Sequence, residues 1–199
     1  MSLILFVIGG GLLTTFLTGQ TSYLSGDAYV RVQEEARKAF DNVVRELREA
    51  GWETTVPKPS PGLLYVGGGS GTSSQLEFQV ALGYNLPSGG CELAPYAGAI
   101  CWGAQDGSGA NRAGWSVRYE VAGKQLLRKV FDAAGAEQTA LQRVLANDVD
   151  APNSSFAWDA AASVRTVTIT LQILYQNSAL PGGSQTTNQL TSRVRLRNS

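Results

Sequence analysis

The first charged residue of this chain is Asp27. Ahead of it, Ser2 to Gly19 reads SLILFVIGGGLLTTFLTG, uncharged and apolar on every side of a helix. A segment that is apolar all round does not stay in water; lipid or other protein must cover it. The run falls a little short of the roughly 20 apolar residues that a spanning helix needs. A cleaved signal would carry a basic region before the apolar stretch and small residues at a cleavage site after it. Nothing basic precedes Leu3, and the residues after the run have the pattern of a helix.

From Ser25 to Ala50 there is no proline, and the only glycine is Gly26. Tyr29, Val32, Ala36, Phe40, Val43, Leu47 and Ala50 recur in steps of three and four, which marks one helix face. The opposite face is charged, with Arg31/Glu35, Glu34/Lys38 and Asp41/Arg45 spaced as i,i+4 pairs. Gly51 then stops the helix. Together the two stretches predict one helix of about 50 residues, about 75 Å long. Residues 1–24 form a membrane or filament-core half built on Leu3, Ile4, Leu5, Phe6, Val7, Ile8, Leu12, Leu13, Phe16 and Leu17. Residues 25–51 form an amphipathic half whose Val32, Ala36, Phe40, Val43 and Leu47 pack on a sheet. Gly9, Gly10 and Gly11 each weaken the helix by up to about 1 kcal/mol and mark a bend in an assembled state.

Residues 52–199 change period. Pro57, Pro59 and Pro61 make a connector, after which apolar and polar residues alternate. Leu76, Phe78, Val80 and Leu82 form one such series, and Trp115, Val117, Tyr119 and Val121 another. Gly123 turns the second series into Gln125 to Phe131. The longest run places Val167, Ile169, Leu171, Ile173 and Tyr175 on one face, and Leu190, Val194 and Leu196 close the pattern. Ala136 to Asn147 reads equally as a short helix or an irregular strand. One apolar face per strand implies an antiparallel sheet covered on one side. The expected fold class is therefore α+β: a long N-terminal helix packed on an antiparallel β-sheet, with a Gly/Cys-rich excursion at 83–114.

Composition narrows the function classes. The chain has 199 residues, no histidine and a formal net charge of zero. Without histidine, Ser-His-Asp, Cys-His and His-ligated zinc chemistry are closed. Zero net charge argues against a nucleic-acid partner. No carboxylate pair stands out as a glycosidase-type site, so no catalytic residue is expected. Gly67-Gly68-Gly69-Ser70-Gly71 is not followed by Lys-Ser/Thr and reads as a hairpin loop, so no nucleotide or other cofactor is expected. Asn147-Asp148-Val149-Asp150 offers oxygen ligands to calcium without the spacing of a dedicated loop; turn formation is preferred and no metal site is assigned. Cys91 and Cys101 are the only cysteines, and their closeness beside a membrane-type N-terminus reads as a disulfide, which implies an oxidising compartment. Trp115, within an alternating strand, is expected in the core; Trp102, beside Cys101, is open between core and exposed contact.

Several segments, in order, resemble the type IV pilin-like proteins, in particular the large minor pilins and the J-type minor pseudopilins of type II secretion. YVRVQEEARKAFDNVVRELREAGW (Tyr29 to Trp52) is similar to that family's extramembrane helix. WSVRYEVAGKQLLRKVFD (Trp115 to Asp132) is similar to its central hairpin. VLANDV (Val144 to Val149), VRTVTITLQI (Val164 to Ile173) and LTSRVRLRN (Leu190 to Asn198) resemble its later elements. The family carries Glu at the fifth mature position, whereas position five here is Leu5, so either the reading frame begins further upstream or the chain is a true subunit lacking this Glu, as some tip pseudopilins do. The resemblance implies a minor pilin-like subunit for filament assembly or priming. Its partners would be other pilin-like subunits through the N-terminal helix, with inner-membrane lipid before assembly. It also implies a single-pass inner-membrane location with an extracytoplasmic domain. A secretion pseudopilin is the alternative, and a membrane-anchored extracytoplasmic binding domain is the alternative of another class.

Overall fold

A computed structural model of the chain describes residues 2–50, 63–65, 71–84, 100–159, 166–177 and 184–196. The first element is helix α1 (Ser2–Glu49). Twelve strands come after it among the described residues. They are β1 (Leu63–Tyr65), β2 (Gly71–Ser73), β3 (Gln75–Phe78), β4 (Val80–Tyr84), β5 (Ile100–Gln105) and β6 (Asn111–Ala113). The others are β7 (Ser116–Ala122), β8 (Gln125–Phe131), β9 (Arg143–Ala146), β10 (Ser155–Asp159), β11 (Thr166–Asn177) and β12 (Ser184–Arg195). Short 3-10 turns at Thr139–Leu141 and Ala151–Asn153 precede β9 and β10. The undecided stretch from Ala136 to Asn147 thus holds both a turn of helix and a strand.

The strands form three sheets. Five lie in the order β1-β3-β7-β8-β9, four in the order β12-β11-β10-β2, and three in the order β4-β5-β6. Every pair is antiparallel except β1 with β3. Alternation in the sequence translates directly into burial. Val117, Tyr119 and Val121 of β7 are buried, as are Val167, Ile169, Leu171 and Ile173 of β11. One core joins these two sets with Leu76, Phe78, Val80 and Ala104, so all three sheets contribute to it.

This corrects the expected fold class. The chain is mostly β, about half strand, and it does not lay a long helix across a single sheet. The reason is surface area. A helix offers one apolar stripe, and the stripe here is fully buried only from Ala36 to Ala50. The apolar faces of so many short strands need more cover than that, and the sheets supply it to one another. The polar faces are not all wet either. Glu77 of β3 is buried with Ser116 and lies 2.7 Å from the Arg118 guanidinium, which stacks 3.9 Å over the Phe131 ring.

Turn chemistry spaces the strands. Gly123, at φ 60°, opens the two-residue link between Ala122 and Gln125, a conformation that an L side chain rarely adopts. Two longer turns share one device. Asp106 Oδ1 accepts from the backbone N–H groups of Ser108 and Ala110, and Asp132 Oδ1 accepts from those of Ala134 and Ala136. In each, the glycine three residues on, Gly109 or Gly135, has a positive φ. The Ser108 hydroxyl, then the Arg112 guanidinium, hold the Asp106 carboxyl well below the usual carboxylate range.

Candidate assembly surface

Helix α1 presents two different surfaces. In its first half, Leu12 is 68% exposed, Leu13 63%, Phe16 63%, Leu17 51% and Tyr23 77%. Leu12, Phe16 and Tyr23 share one side of the helix, and every residue from Gly9 to Gln20 is exposed, so the globular part covers no side of this stretch. The threonine hydroxyls among them bond inside the helix. Thr14 Oγ1 donates to the carbonyls of Gly10 and Gly11, Thr15 Oγ1 to Gly11, and Thr18 Oγ1 to Thr14. A threonine bonded in this way brings no unpaired donor into an apolar setting. Leu12, Thr15, Phe16, Gly19, Gln20 and Tyr23 line an open groove.

Gly9, Gly10 and Gly11 lie within the helix, with open space where a side chain would stand. The side chains of Leu3, Ile4, Leu5, Phe6, Val7 and Ile8 lie outside the described residues. Among the described residues, no helix is long and apolar enough to cross a membrane.

The second half of α1 is anchored. Ala36, Ala39, Val43, Leu47 and Ala50 are fully buried, and Val32 and Phe40 pack against the same core while half-buried. Two polar clamps fix this half. Glu46 accepts from the Tyr119 hydroxyl at 2.9 Å and from Arg128 Nε at 3.0 and 3.1 Å. Burial first, then the Glu46 charge, push the Tyr119 hydroxyl well above its ordinary pKa. Burial works against the charge of Arg128, but the Glu46 carboxylate outweighs it and raises that pKa. The second clamp is Glu35, whose Oε1 accepts from the backbone N–H and side-chain amide of Asn147.

Asn147 begins a short strap that ties the helix to both large sheets. Val149 N–H donates to the Lys124 carbonyl in the β7–β8 turn, and Asp150 N–H to the Gln172 carbonyl of β11. Leu174 N–H donates to the Asp148 carbonyl. Asp148 holds φ 56°, the one non-glycine residue with a positive φ among those described. The stretch from Asn147 to Asp150, with its oxygen ligands for calcium, therefore spends its backbone groups on joining elements. Among the described residues no cluster of His, Cys, Asp or Glu could hold a metal ion.

Cys101 of β5 is disulfide-bonded, while Cys91 lies outside the described residues. Trp102 is half-buried, and Trp115 packs half-buried against the core. Sequence reasoning overlooked Tyr23, the most exposed of these large apolar side chains, although it continues the Leu12–Phe16 row by one further pair of turns. It also overlooked Glu46, and it read Asn147 only as a turn or calcium-ligand candidate; the roles of both depend on partners about 80 to 110 positions away, as the pairs with Arg128 and Glu35 show. No protein-family model, no curated protein and no solved structure matches this chain.

Proposed function

We propose that this chain is a pilin-like structural subunit that assembles, through the first half of α1, with the helices of other pilin-like subunits in an extracytoplasmic filament. The observation that carries this reading is the contrast within one helix. Ala36 to Ala50 is buried and clamped, whereas every residue from Gly9 to Gln20 is exposed, Leu12, Leu13 and Phe16 among them, with the neighbouring threonine hydroxyls bonded internally. Such a stem needs an apolar partner, and packing against several neighbouring helices covers every side of it. Before assembly, inner-membrane lipid is the proposed cover. The bonded state of Cys101 supports an oxidising compartment. No catalytic role is proposed.

The test is co-purification. The full chain, extracted in mild detergent from cells that make pilin-like subunits, is expected to carry such subunits with it. Replacing Leu13 and Phe16 together by Glu should abolish that association while leaving the fold, which these side chains do not support, unchanged. Retained association in the double variant would refute the proposal. Loss of pili on deletion supports the pilus reading, and loss of exoprotein release supports the secretion reading.

A further inference from the structure

Strand β12 closes one side of the four-stranded sheet and pairs along its whole length with β11, in unbroken register from Thr166↔Arg195 to Asn177↔Ser184. The direction of its outer edge is set by β11. Ile173 bridges Val149 on the flank of β11 away from β12. There the Gln172 carbonyl accepts from Asp150, the Leu174 N–H donates to Asp148, and the Gln172 N–H donates to Ser154 Oγ. Even-numbered residues of β11 therefore turn their backbone groups away from β12, and odd-numbered residues turn theirs toward it. In an antiparallel ladder the same alternation passes to the neighbour. Even-numbered residues of β12 bond β11, and Thr187, Gln189, Thr191, Arg193 and Arg195 turn their N–H and C=O groups outward. No backbone partner for this edge is found among the described residues.

An unpaired edge of this length is a template for another strand. Proteins usually blunt such an edge with proline, bulges or charge. Here there is no proline and no bulge, and the charge sits only at Arg193 and Arg195. The strand also fits itself. When two copies run antiparallel about a two-fold axis at Leu190, Thr191 meets Gln189, and Arg193 meets Thr187. Arg195 falls opposite position 185. The arginines of the two copies lie at opposite ends of the ladder and never meet. The exposed side chains stay on one face throughout, because odd positions meet odd positions. We propose that the free edge of β12 pairs antiparallel with β12 of a second copy of this chain, joining two four-stranded sheets into one continuous sheet. This contact is independent of the α1 stem.

The experiment mixes full-length chains in detergent, one carrying Gln189→Cys and the other Thr191→Cys. Hydrogen-bonded cross-strand positions lie about 5.5 Å apart at Cα, a separation that a disulfide spans. Mild oxidation is expected to give a covalent dimer from the mixture, and none from chains bearing Cys at exposed Ala140. Thr187→Pro, which removes only an outward N–H, should suppress the dimer while circular dichroism stays that of the parent. Should the proline variant not fold, Thr187→Arg carries the test. It sets like charges opposite Arg193 twice per dimer, for about a tenfold loss of cross-linked product at low salt that high salt restores. Leu13→Glu/Phe16→Glu should leave the product intact. Equal cross-linking from Ala140→Cys, indifference to both Thr187 variants, loss with the α1 double variant, cross-linking to a different protein, or no dimer at all would each overturn the proposal.

Discussion

Replacing Glu46 by Ala tests how the helix is fastened. The substitution leaves the Tyr119 hydroxyl, on a residue with no exposed surface, without its acceptor. An unsatisfied buried donor costs about 1–3 kcal/mol. It also strips Arg128 of its counter-charge; breaking a fully buried pair costs about 3–5 kcal/mol. The Arg128 and Glu46 side chains keep 18% and 20% of their surface, so water recovers much of that second cost. The two effects together should destabilise the fold by about 3 kcal/mol, and the chain should unfold at a lower denaturant concentration with an unchanged slope. Tryptophan fluorescence tracks the transition, since Trp158 is buried in the same core. Tyr119→Phe, which removes donor and hydroxyl together and leaves the Glu46–Arg128 pair, should cost only about 1 kcal/mol. A Glu46→Ala loss below about 1 kcal/mol, or a Tyr119→Phe loss equal to it, would refute this reasoning.

Tyr119 also sets a pH dependence. Its folded pKa is raised, so the folded state favours the neutral phenol. That stability is fully present below the ordinary tyrosine pKa of about 10 and is lost as pH rises toward the folded value. Denaturation between neutral and strongly alkaline pH should show this loss in the parent and a smaller one in Tyr119→Phe. Asp148→Gly should be neutral or stabilising, because φ 56° suits glycine, whereas Asp148→Val should cost about 1–3 kcal/mol in the same denaturation assay. Leu47→Ala removes a fully buried side chain and should cost about 2–5 kcal/mol, measured by the shift in denaturation midpoint.

Local patterns were legible in the sequence wherever a residue's environment is decided by its neighbours in the chain. The period-two runs of β7 and β11 and the helical stripe through Ala36, Val43 and Leu47 place their burial correctly. The Gly123 turn is equally plain. What the sequence did not disclose is partition. Nothing in the alternation of Leu76, Phe78 and Val80 says that β3 and β4 enter different sheets, although only Gln79 separates them. A one-sided sheet under a helix and three sheets sharing a core write the same apolar face. The difference lies on the other face, where the buried Glu77 accepts from Ser116 and Arg118, both about 40 positions away. The same distance problem hid the Glu46 clamp. The exposed apolar stem was easier, because Leu12, Leu13, Phe16 and Leu17 have no charged neighbour on any side of the helix, and that pattern is local.

The central claim is that the stem of α1 is the element through which this chain meets its partners. The most direct measurement places a photo-activatable cross-linker at Leu13 in the full chain within cells that make pilin-like subunits, with Val144, an exposed apolar residue of β9, as the comparison site. The account predicts adducts from Leu13 to the N-terminal helix of another pilin-like subunit, and none of that kind from Val144. Adducts to such subunits from Val144 but not from Leu13 would contradict it.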